Sequence, residues 1–346
     1  MYVASYGLSG GPFQLKLDSA FCFESVAHRR THAHLAQAVR QQSEGFLMLT
    51  GEAGVGKSTL LNALLAELDP KKVLAARWPD ARVNGADLLE SIARTFGLPI
   101  KSDNQAHLLG QIEAFLAELA SIGRRALLVI EEAQNLTPKA LVGLRVLSHI
   151  QPHRRVALQC ILVGRPELHD LIQGPLMQTL RQDIIVFDHL SPLQETETRS
   201  YLEQRLALVG WKGDPGFDSS AVALLHRATK GIPRRINSLC NRLLLSAHIA
   251  RKHRIVAADV QEAAMELREE LGAEALPGDL GDTRVVPAAA GTFRGANPSR
   301  SFIVSSITAR LDRLERAVDT LMELVRDRPP APNPRPMVDP KGTRLP

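Results

Sequence analysis

The sequence predicts an α/β protein in which helices cover both faces of a parallel sheet, followed by a small all-helical domain and a C-terminal helix. Two patterns lead to this prediction. Short runs, apolar throughout, alternate with helical patterns over residues 46–193, as in parallel strands that are buried on both faces. Over residues 194–270 one helical pattern follows another, and no strand pattern intervenes.

Individual elements are predicted from apolar spacing. The predicted strands are 46–50, 73–76, 125–130, 156–163 and 184–187. The predicted helices of the first part are 25–42, 86–96, 106–122 and 138–148, in addition to a helical pattern through Leu60–Leu65. The predicted helices of the second part are 195–209, 219–229, 236–250 and 257–270.

A glycine-rich loop joins the first strand to a helical pattern. Four residues match the spacing G-x-x-x-x-G-K-[S/T], namely Gly51, Gly56, Lys57 and Ser58. In such a loop, backbone N–H groups turn onto phosphate oxygens, the lysine reaches the β- and γ-phosphates, and the serine ligates Mg²⁺. We therefore predict a P-loop that binds ATP with Mg²⁺. Its predicted binding residues are Gly51, Glu52, Ala53, Gly54, Val55, Gly56, Lys57, Ser58 and Thr59.

An acidic pair, Glu131 and Glu132, ends the apolar strand at 125–130. Carboxylates at such a place are costly unless they meet a cation or its water shell. In P-loop ATPases an Asp holds Mg²⁺ here, and a following Glu polarises the attacking water. We predict that Glu131 replaces that Asp as a metal ligand and that Glu132 is the general base, with weakened hydrolysis. The alternative is an acidic pair that only begins a helix.

Composition narrows the possible partners. The chain has 346 residues, of which 45% are hydrophobic, and a formal net charge of +5 with pI about 9.3. This surplus permits contact with nucleic acid or acidic lipid without requiring either. Aromatic residues make up only 4%, which argues against a protein that stacks bases on aromatic platforms.

Segments typical of export or membrane insertion are not apparent in the sequence. The N-terminus lacks a charged region followed by an apolar region, and no apolar run approaches the ~20 residues of a membrane span. The three cysteines have no metal-ligand spacing. We expect a cytoplasmic protein that reaches the inner membrane only through partners.

With both motifs placed, the chain resembles the AAA+ ATPases. More closely, it resembles the secretion ATPases of PEP-CTERM/exosortase exopolysaccharide loci, which are relatives of the type II secretion assembly ATPase. The resemblance covers about residues 1–270 and rests on segments 11–13, 45–46, 132–138, 162–168, 208–215 and 231–237. It implies an ATP-hydrolysing motor or switch in exopolysaccharide export or envelope secretion assembly, acting as a homo-oligomeric ring.

The resemblance also implies roles for individual arginines. Arg234, in a Gly-x-Pro-Arg motif, matches the sensor-2 arginine, although a surface arginine is the alternative. Arg165 stands where the family has a sensor Gln. Asp183 replaces the second arginine of the family's Leu-Arg-Gln-Arg-Ile, which leaves Arg181 as either an arginine finger or a surface residue. Because Glu131, Arg165 and Asp183 depart together at or near the nucleotide in the family's layout, we expect altered catalysis.

The implied organisation has six parts. They are an N-terminal segment of the ATPase module (1–45), the P-loop core (46–193), a helical lid (194–270), a linker (271–300), an amphipathic helix (301–327) and a disordered proline-rich tail (328–346). Apolar residues of the amphipathic helix form a seam over about three heptads: Val304, Ile307, Leu311, Leu314, Val318, Leu321 and Val325. This helix is interpreted as a site of self-association or partner capture, or alternatively as a helix docked on the lid.

Two other functions remain open. One is a nucleic-acid-associated AAA+ regulator of the transposition type, supported by the basic clusters 124–125, 153–155 and 251–254. The other is a scaffold that switches on ATP with little turnover, supported by the three departures.

Overall fold

The computed structural model describes residues 2–14, 23–41, 45–79, 81, 87–100, 104–150, 157–272 and 276–278. One compact unit spans Met1–Asp282, and the other spans Thr283–Pro346. The predicted amphipathic helix and proline-rich tail, with most of the predicted linker, lie outside the described residues.

A five-stranded sheet organises the first part of the chain. Its strands are β1 (Phe46–Thr50), β2 (Val73–Trp78), β3 (Arg125–Ile130), β4 (Leu158–Gly164) and β5 (Ile184–His189). The order across the sheet is β2-β3-β4-β1-β5, and all neighbours are parallel. Since parallel neighbours align their carboxyl ends, the residues after β1, β3 and β4 meet at one edge. The predicted α/β fold class is confirmed.

The three central strands are buried along their whole length, but the edge strands are not. In β5, Ile185 and Phe187 are exposed, whereas the next residue, Asp188, is buried. Helices cover both faces of the sheet, but they leave some side chains of the edge strands β2 and β5 exposed.

Helices pack on both faces of the sheet. They are α1 (Tyr2–Ser5), α2 (Val26–Arg40), α3 (Lys57–Ala66), α4 (Leu88–Thr95), α5 (Gln105–Ser121), α6 (Pro138–Ser148), α7 (Glu167–Gln173) and α8 (Gln178–Gln182), of which α1 lies apart from the sheet. Alternate strand residues feed two hydrophobic clusters: Leu128 joins α4–α8 on one face, and Leu127 joins α2 and α3 on the other. No helix in the described ranges is both long and apolar enough to cross a membrane.

Four further helices form a third hydrophobic cluster. They are α9 (Glu195–Ala207), α10 (Ser219–Thr229), α11 (Pro233–Ile249) and α12 (Ala257–Leu271). Phe13 of the N-terminal segment is fully buried in this cluster, and its carbonyl accepts a hydrogen bond of 3.0 Å from Asn241 Nδ2 on α11. Residues near the start of the chain are therefore packed against its helical part.

The helical part also contains two short strands that the sequence pattern misses. Gly216–Phe217 (β6) and Arg254–Ile255 (β7) pair in parallel between the helices. The expectation of helices without intervening strands is wrong here, because two residues are too short to show a strand period.

Candidate nucleotide site

The loop between β1 and α3 has the conformation that a phosphate cradle needs. Gly54 and Gly56 have φ angles of 85° and 115°, in the left-handed region that favours glycine. A Cβ at Gly56 would lie 2.5 Å from His28 Nε2, so a side chain there has no room. Helix α3 begins at Lys57 without a side-chain cap, which leaves the backbone N–H groups of its first turn for an anion.

Lys57 is anchored over this loop. Its Nζ donates to the carbonyl oxygens of Gly51 at 2.6 Å and Glu52 at 3.0 Å. An ammonium group has three N–H donors, so one remains for a ligand. Burial lowers the pKa of Lys57; Glu132 opposes this effect, whereas Arg165 lowers it further.

The described structure brings Ser58 and Glu131 together across 73 positions of sequence. Ser58 Oγ, in the first turn of α3, donates a hydrogen bond of 3.0 Å to Glu131 Oε2 at the end of β3. A hydroxyl and a carboxylate are hard oxygen ligands, the type that Mg²⁺ binds in phosphate sites. The donor set therefore fits Mg²⁺, although Glu131 carries one more methylene than an Asp.

A residue that the sequence reasoning missed completes this group. Arg77, in β2, lies beside Glu131 Oε1, with Nε at 3.1 Å and Nη2 at 2.5 Å. Its Nη1 also donates to Asn62 Oδ1 on α3. In the sequence, Arg77 is only a basic residue near the end of a predicted strand. Its contact with Glu131 depends on the order of strands in the sheet, which places β2 beside β3.

Glu132 and Arg165 also meet, through Gln134. Gln134 Nε2 donates to Glu132 Oε2 at 2.7 Å, and Gln134 Oε1 accepts from the backbone N–H of Arg165 at 3.1 Å. Arg165 Nε lies 3.6 Å from the same Glu132 oxygen, which makes an ion pair. Glu132 has φ of 51°, an uncommon conformation for a non-glycine residue. Gln134 and Arg165 thus both contact the same oxygen of the Glu132 carboxylate.

Helix α11 begins directly against the P-loop. The backbone N–H of Arg234 donates to the carbonyl oxygen of Gly54 at 3.2 Å. A Cβ at Gly54 would lie 2.5 Å from Cβ of Arg234, so the two backbones are as close as glycine allows. Arg234 therefore lies at the P-loop, and the sensor-2 role that the resemblance implies for it stays a prediction.

A cavity of about 370 Å³ is lined by the P-loop together with Glu132, Arg165 and Arg234. That volume is within the range of small-molecule sites. Its charged lining side chains comprise four cations and one carboxylate, with an additional histidine: Lys57, Arg165, Arg205, Arg234, Glu132 and His28. Such a lining favours a polyanionic ligand such as a nucleoside triphosphate.

The far wall of the cavity was also missed by the sequence reasoning. Phe23 meets Tyr201 edge-to-face with ring centroids 5.6 Å apart, and Tyr201 Oη donates to Asn237 Oδ1 at 2.7 Å. The guanidinium of Arg205 lies 5.7 Å from the centroid of the Tyr201 ring. These residues come from three separate segments and share no sequence motif. An aromatic and amide wall beside a cationic floor suits the base and ribose of a nucleotide.

Two predicted positions lie away from this cavity. Arg181 Nη1, on α8, donates to Gln173 Oε1 at 2.9 Å and does not line the cavity. Asp183 Oδ2 accepts from Arg145 Nε at 2.6 Å and does not line it either. Of the three departures, Arg165 lines the cavity, Glu131 contacts a lining residue, Ser58, and Asp183 is bonded to Arg145 away from the lining.

Comparisons with known proteins agree with this geometry. Residues 39–172 match the family described as AAA domain. General secretion pathway protein A of Aeromonas hydrophila is 36% identical over 269 residues, which are 77% of this chain and 48% of that protein. This chain thus spans about half the length of that relative.

Solved structures are similar in fold. One is ORC2 of Aeropyrum pernix, with 19% identity and a TM-score of 0.54 over 71% of this chain and 70% of that chain. Another is Cdc6p of Pyrobaculum aerophilum, with 17% identity and a TM-score of 0.55 over 72% of this chain and 70% of that chain. Drosophila ORC bound to DNA is a third, with 16% identity and a TM-score of 0.53 over 94% of this chain and 81% of that chain. At such low identity, the similarity shows the fold alone. Together, the match over residues 39–172, the sheet order and the loop between β1 and α3 show that the chain contains an AAA domain with a P-loop.

Proposed function

We propose that the chain binds ATP with Mg²⁺, hydrolyses it slowly, and acts as a nucleotide-driven motor or switch in exopolysaccharide export or envelope secretion assembly. The observation that carries the nucleotide chemistry is the contact of Ser58 with Glu131 at 3.0 Å, beneath a cavity lined by cations. This contact joins the hydroxyl of the P-loop serine to the carboxylate that follows β3.

In this proposal, the loop from Gly51 to Thr59 holds the phosphates through its backbone N–H groups. Lys57 would add its remaining N–H donor, and Ser58 and Glu131 would hold Mg²⁺. The positive charge supplied by Mg²⁺ at that place would offset the negative charge of the phosphates. Arg234 contacts the phosphates from the start of α11 and so links the nucleotide to the helical part of the chain.

Glu132 is the proposed general base, and Arg165 controls it. Arg165 Nε lies 3.6 Å from Glu132 Oε2, and Gln134 Nε2 donates to the same oxygen at 2.7 Å. In this proposal that oxygen is engaged, and is not available to an attacking water, until Arg165 turns to the phosphates. This arrangement supports slow rather than rapid turnover.

We further propose that the chain works as a homo-oligomeric ring. Arg181 does not line the cavity of its own chain, and its side chain is held by Gln173. Such a position suits an arginine finger that completes the site of a neighbouring copy.

The proposed setting is the cytoplasmic face of the inner membrane, reached through partners. It rests on the 36% identity to a protein named for the general secretion pathway, which this chain matches over about half of that protein's length. The exopolysaccharide pathway is the more specific part of the proposal, and it comes from the family resemblance.

The charge pairing of the basic clusters argues against the nucleic-acid alternative. In cluster 251–254, Lys252 pairs with Asp259 at 2.5 Å, His253 with Asp214 at 2.8 Å and Arg254 with Asp218 at 2.5 Å. Arg125, in the first cluster, is buried and donates to Gln159 Oε1 at 2.7 Å. Cluster 153–155 lies outside the described residues. Neighbouring carboxylates thus offset the positive charge of cluster 251–254, and the buried Arg125 is not accessible to a phosphate.

The proposal is tested by measuring ATP affinity and steady-state phosphate release on the same preparations. Glu132→Gln is expected to retain ATP binding and to lower turnover by a factor of about 100 or more, the usual contribution of a general base. Glu90→Gln, which removes the half-buried carboxylate of the Arg94–Glu90 pair on α4, is the control. Unchanged turnover in Glu132→Gln would exclude this residue as the base, and failure of the unaltered chain to bind ATP would refute the proposal as a whole.

The secretion setting needs a separate test. Capture of membrane-bound secretion or polysaccharide-export proteins by the full chain, in an ATP-dependent manner, is the expected result. Salt-dependent binding to duplex DNA with no such capture would instead support the nucleic-acid alternative.

A further inference from the structure

Glu131 has a cation of its own. The Arg77 guanidinium approaches Glu131 Oε1 with Nε at 3.1 Å and Nη2 at 2.5 Å. The Glu131 side chain is only 15% exposed, whereas Arg77 reaches it from the exposed side of β2. With Ser58 Oγ on Oε2, both oxygens of the carboxylate are occupied.

Three elements hold this arrangement in place. The backbone N–H of Glu131 donates to the Trp78 carbonyl at 2.9 Å, which extends the β2–β3 ladder to the acidic residue. Asn62 lies one turn after Ser58 on α3, and its Oδ1 accepts from Arg77 Nη1. The guanidinium on β2 and the carboxylate after β3 therefore meet beside α3.

In this arrangement, the Arg77 guanidinium and Mg²⁺ would both bind the Glu131 carboxylate. A carboxylate that is paired with a guanidinium has less negative charge to offer a second cation, and the guanidinium repels Mg²⁺ directly at this range. The extra methylene of Glu131 relative to an Asp lets one carboxylate touch both Ser58 and Arg77. The residue that departs from the P-loop pattern is therefore the residue that engages the arginine.

We propose that Arg77 competes with Mg²⁺ for Glu131 and so raises the Mg²⁺ concentration at which this chain binds Mg-ATP. The inference rests on the proposed nucleotide function and assigns a regulation to the same site. It makes nucleotide loading sensitive to free Mg²⁺, in addition to ATP itself.

The test is a Mg²⁺ titration of the full chain with a fluorescent ATP analogue, read as fluorescence of the bound nucleotide. Arg77→Gln is expected to lower the half-saturating Mg²⁺ concentration about fivefold or more, because a positive charge near the metal ligands is removed. The matched control is Arg94→Gln, which removes the arginine of another Arg–Glu pair, on α4, away from the site. This control is expected to leave the Mg²⁺ dependence unchanged.

A second variant guards against misfolding of the first. Glu131→Asp keeps the charge but shortens the side chain away from Arg77, and it is expected to lower the half-saturating Mg²⁺ concentration as well. An unchanged or increased Mg²⁺ requirement in folded Arg77→Gln, or in Glu131→Asp if Arg77→Gln does not fold, would overturn the proposal. If the unaltered chain binds no nucleotide at any Mg²⁺ concentration, the proposed function fails; if it binds but the variants do not change its Mg²⁺ dependence, only the role of Arg77 fails.

Discussion

At the scale of the residue, the charges that line the cavity are unevenly matched. Glu132 is the one carboxylate among the described lining side chains, facing Lys57, Arg165, Arg205 and Arg234. Of these cations, Arg165 forms an ion pair with Glu132. Because a triphosphate carries more negative charge than Glu132, we expect Arg165 to leave the carboxylate for the phosphates when ATP binds.

Replacing Arg165 therefore tests whether this residue distinguishes ATP from ADP. Arg165→Gln is expected to weaken ATP binding about tenfold, the typical value of one charge-assisted hydrogen bond, and to change ADP binding little. Calorimetric titration with each nucleotide measures the difference. Arg40→Gln removes an exposed arginine that pairs with Glu67 at 3.4 Å, and it is the control. Equal losses for ATP and ADP would contradict a contact specific to the third phosphate.

At the scale of the element, the P-loop is held between two helices. Helix α11 touches it at Gly54, and helix α2 touches it at Gly56 through His28. The loop is therefore the point at which the sheet, the helix before it and the helical part of the chain meet.

The contact with α11 predicts a specific cost for a methyl group at Gly54. Gly54→Ala places Cβ against Arg234 and is expected to force the loop and α11 apart, weakening both stability and nucleotide binding. Gly97→Ala is a matched control, because Gly97 also has positive φ, at 72°, but no neighbour within 4 Å. The control should lose only the backbone term, about 1 kcal/mol. Equal loss in the two variants, measured by denaturant unfolding, would rule out the steric explanation.

The contact with α2 predicts a pH effect. Burial lowers the pKa of His28 below its ordinary value of 6.5, against the opposing effects of Glu197 and a hydrogen bond to the Val55 backbone. As pH falls through that ordinary value, the unfolded chain takes up a proton that the folded chain resists, so stability falls. Because His28→Gln has no imidazole at this position, its stability should not fall through protonation of residue 28. From about pH 7.5 to about pH 5.5, the thermal midpoint should therefore drop less in His28→Gln than in the unaltered chain.

The control for this experiment is His107→Gln, which replaces an exposed histidine on α5. Its thermal midpoint should follow that of the unaltered chain across the same pH range. If His28→Gln does so too, the buried histidine is not a source of the acid sensitivity.

The sequence predicted elements well where a pattern was local. Strands β1 and β3 and helices α6 and α10 begin and end where apolar spacing and turn residues put them. It predicted Ser58 and Glu131 as ligands of Mg²⁺ because each belongs to a known motif, and the structure places the two side chains in contact. It could not predict Arg77, because the contact depends on the order of strands in the sheet. The aromatic wall was missed for the same reason, since Phe23, Tyr201 and Asn237 lie far apart in the chain.

At the scale of the whole molecule, the described fold and the predicted seam belong to different units. The unit Met1–Asp282 contains all three hydrophobic clusters, whereas the seam from Val304 to Val325 lies in the unit Thr283–Pro346 and outside the described residues. The role of the seam in self-association therefore remains a prediction from the heptad spacing alone. Three heptads form a weak coiled coil, so we expect it to act together with contacts between ATPase domains in a ring.

This expectation separates two substitutions that add the same charge. Leu314→Asp places a carboxylate in the apolar seam and is expected to lower the oligomeric mass, because burying an unpaired charge between helices is costly. Thr320→Asp places it one residue before Leu321, outside the seam, and should leave the mass unchanged. Light scattering with bound ATP measures both, together with a chain that lacks residues from 300 onward, which should behave as Leu314→Asp does. If the helix instead docks on the lid of its own chain, it makes no contact between copies, and the number of chains in the oligomer should be the same in all three variants. An unchanged oligomeric state in all three would therefore favour this alternative over self-association.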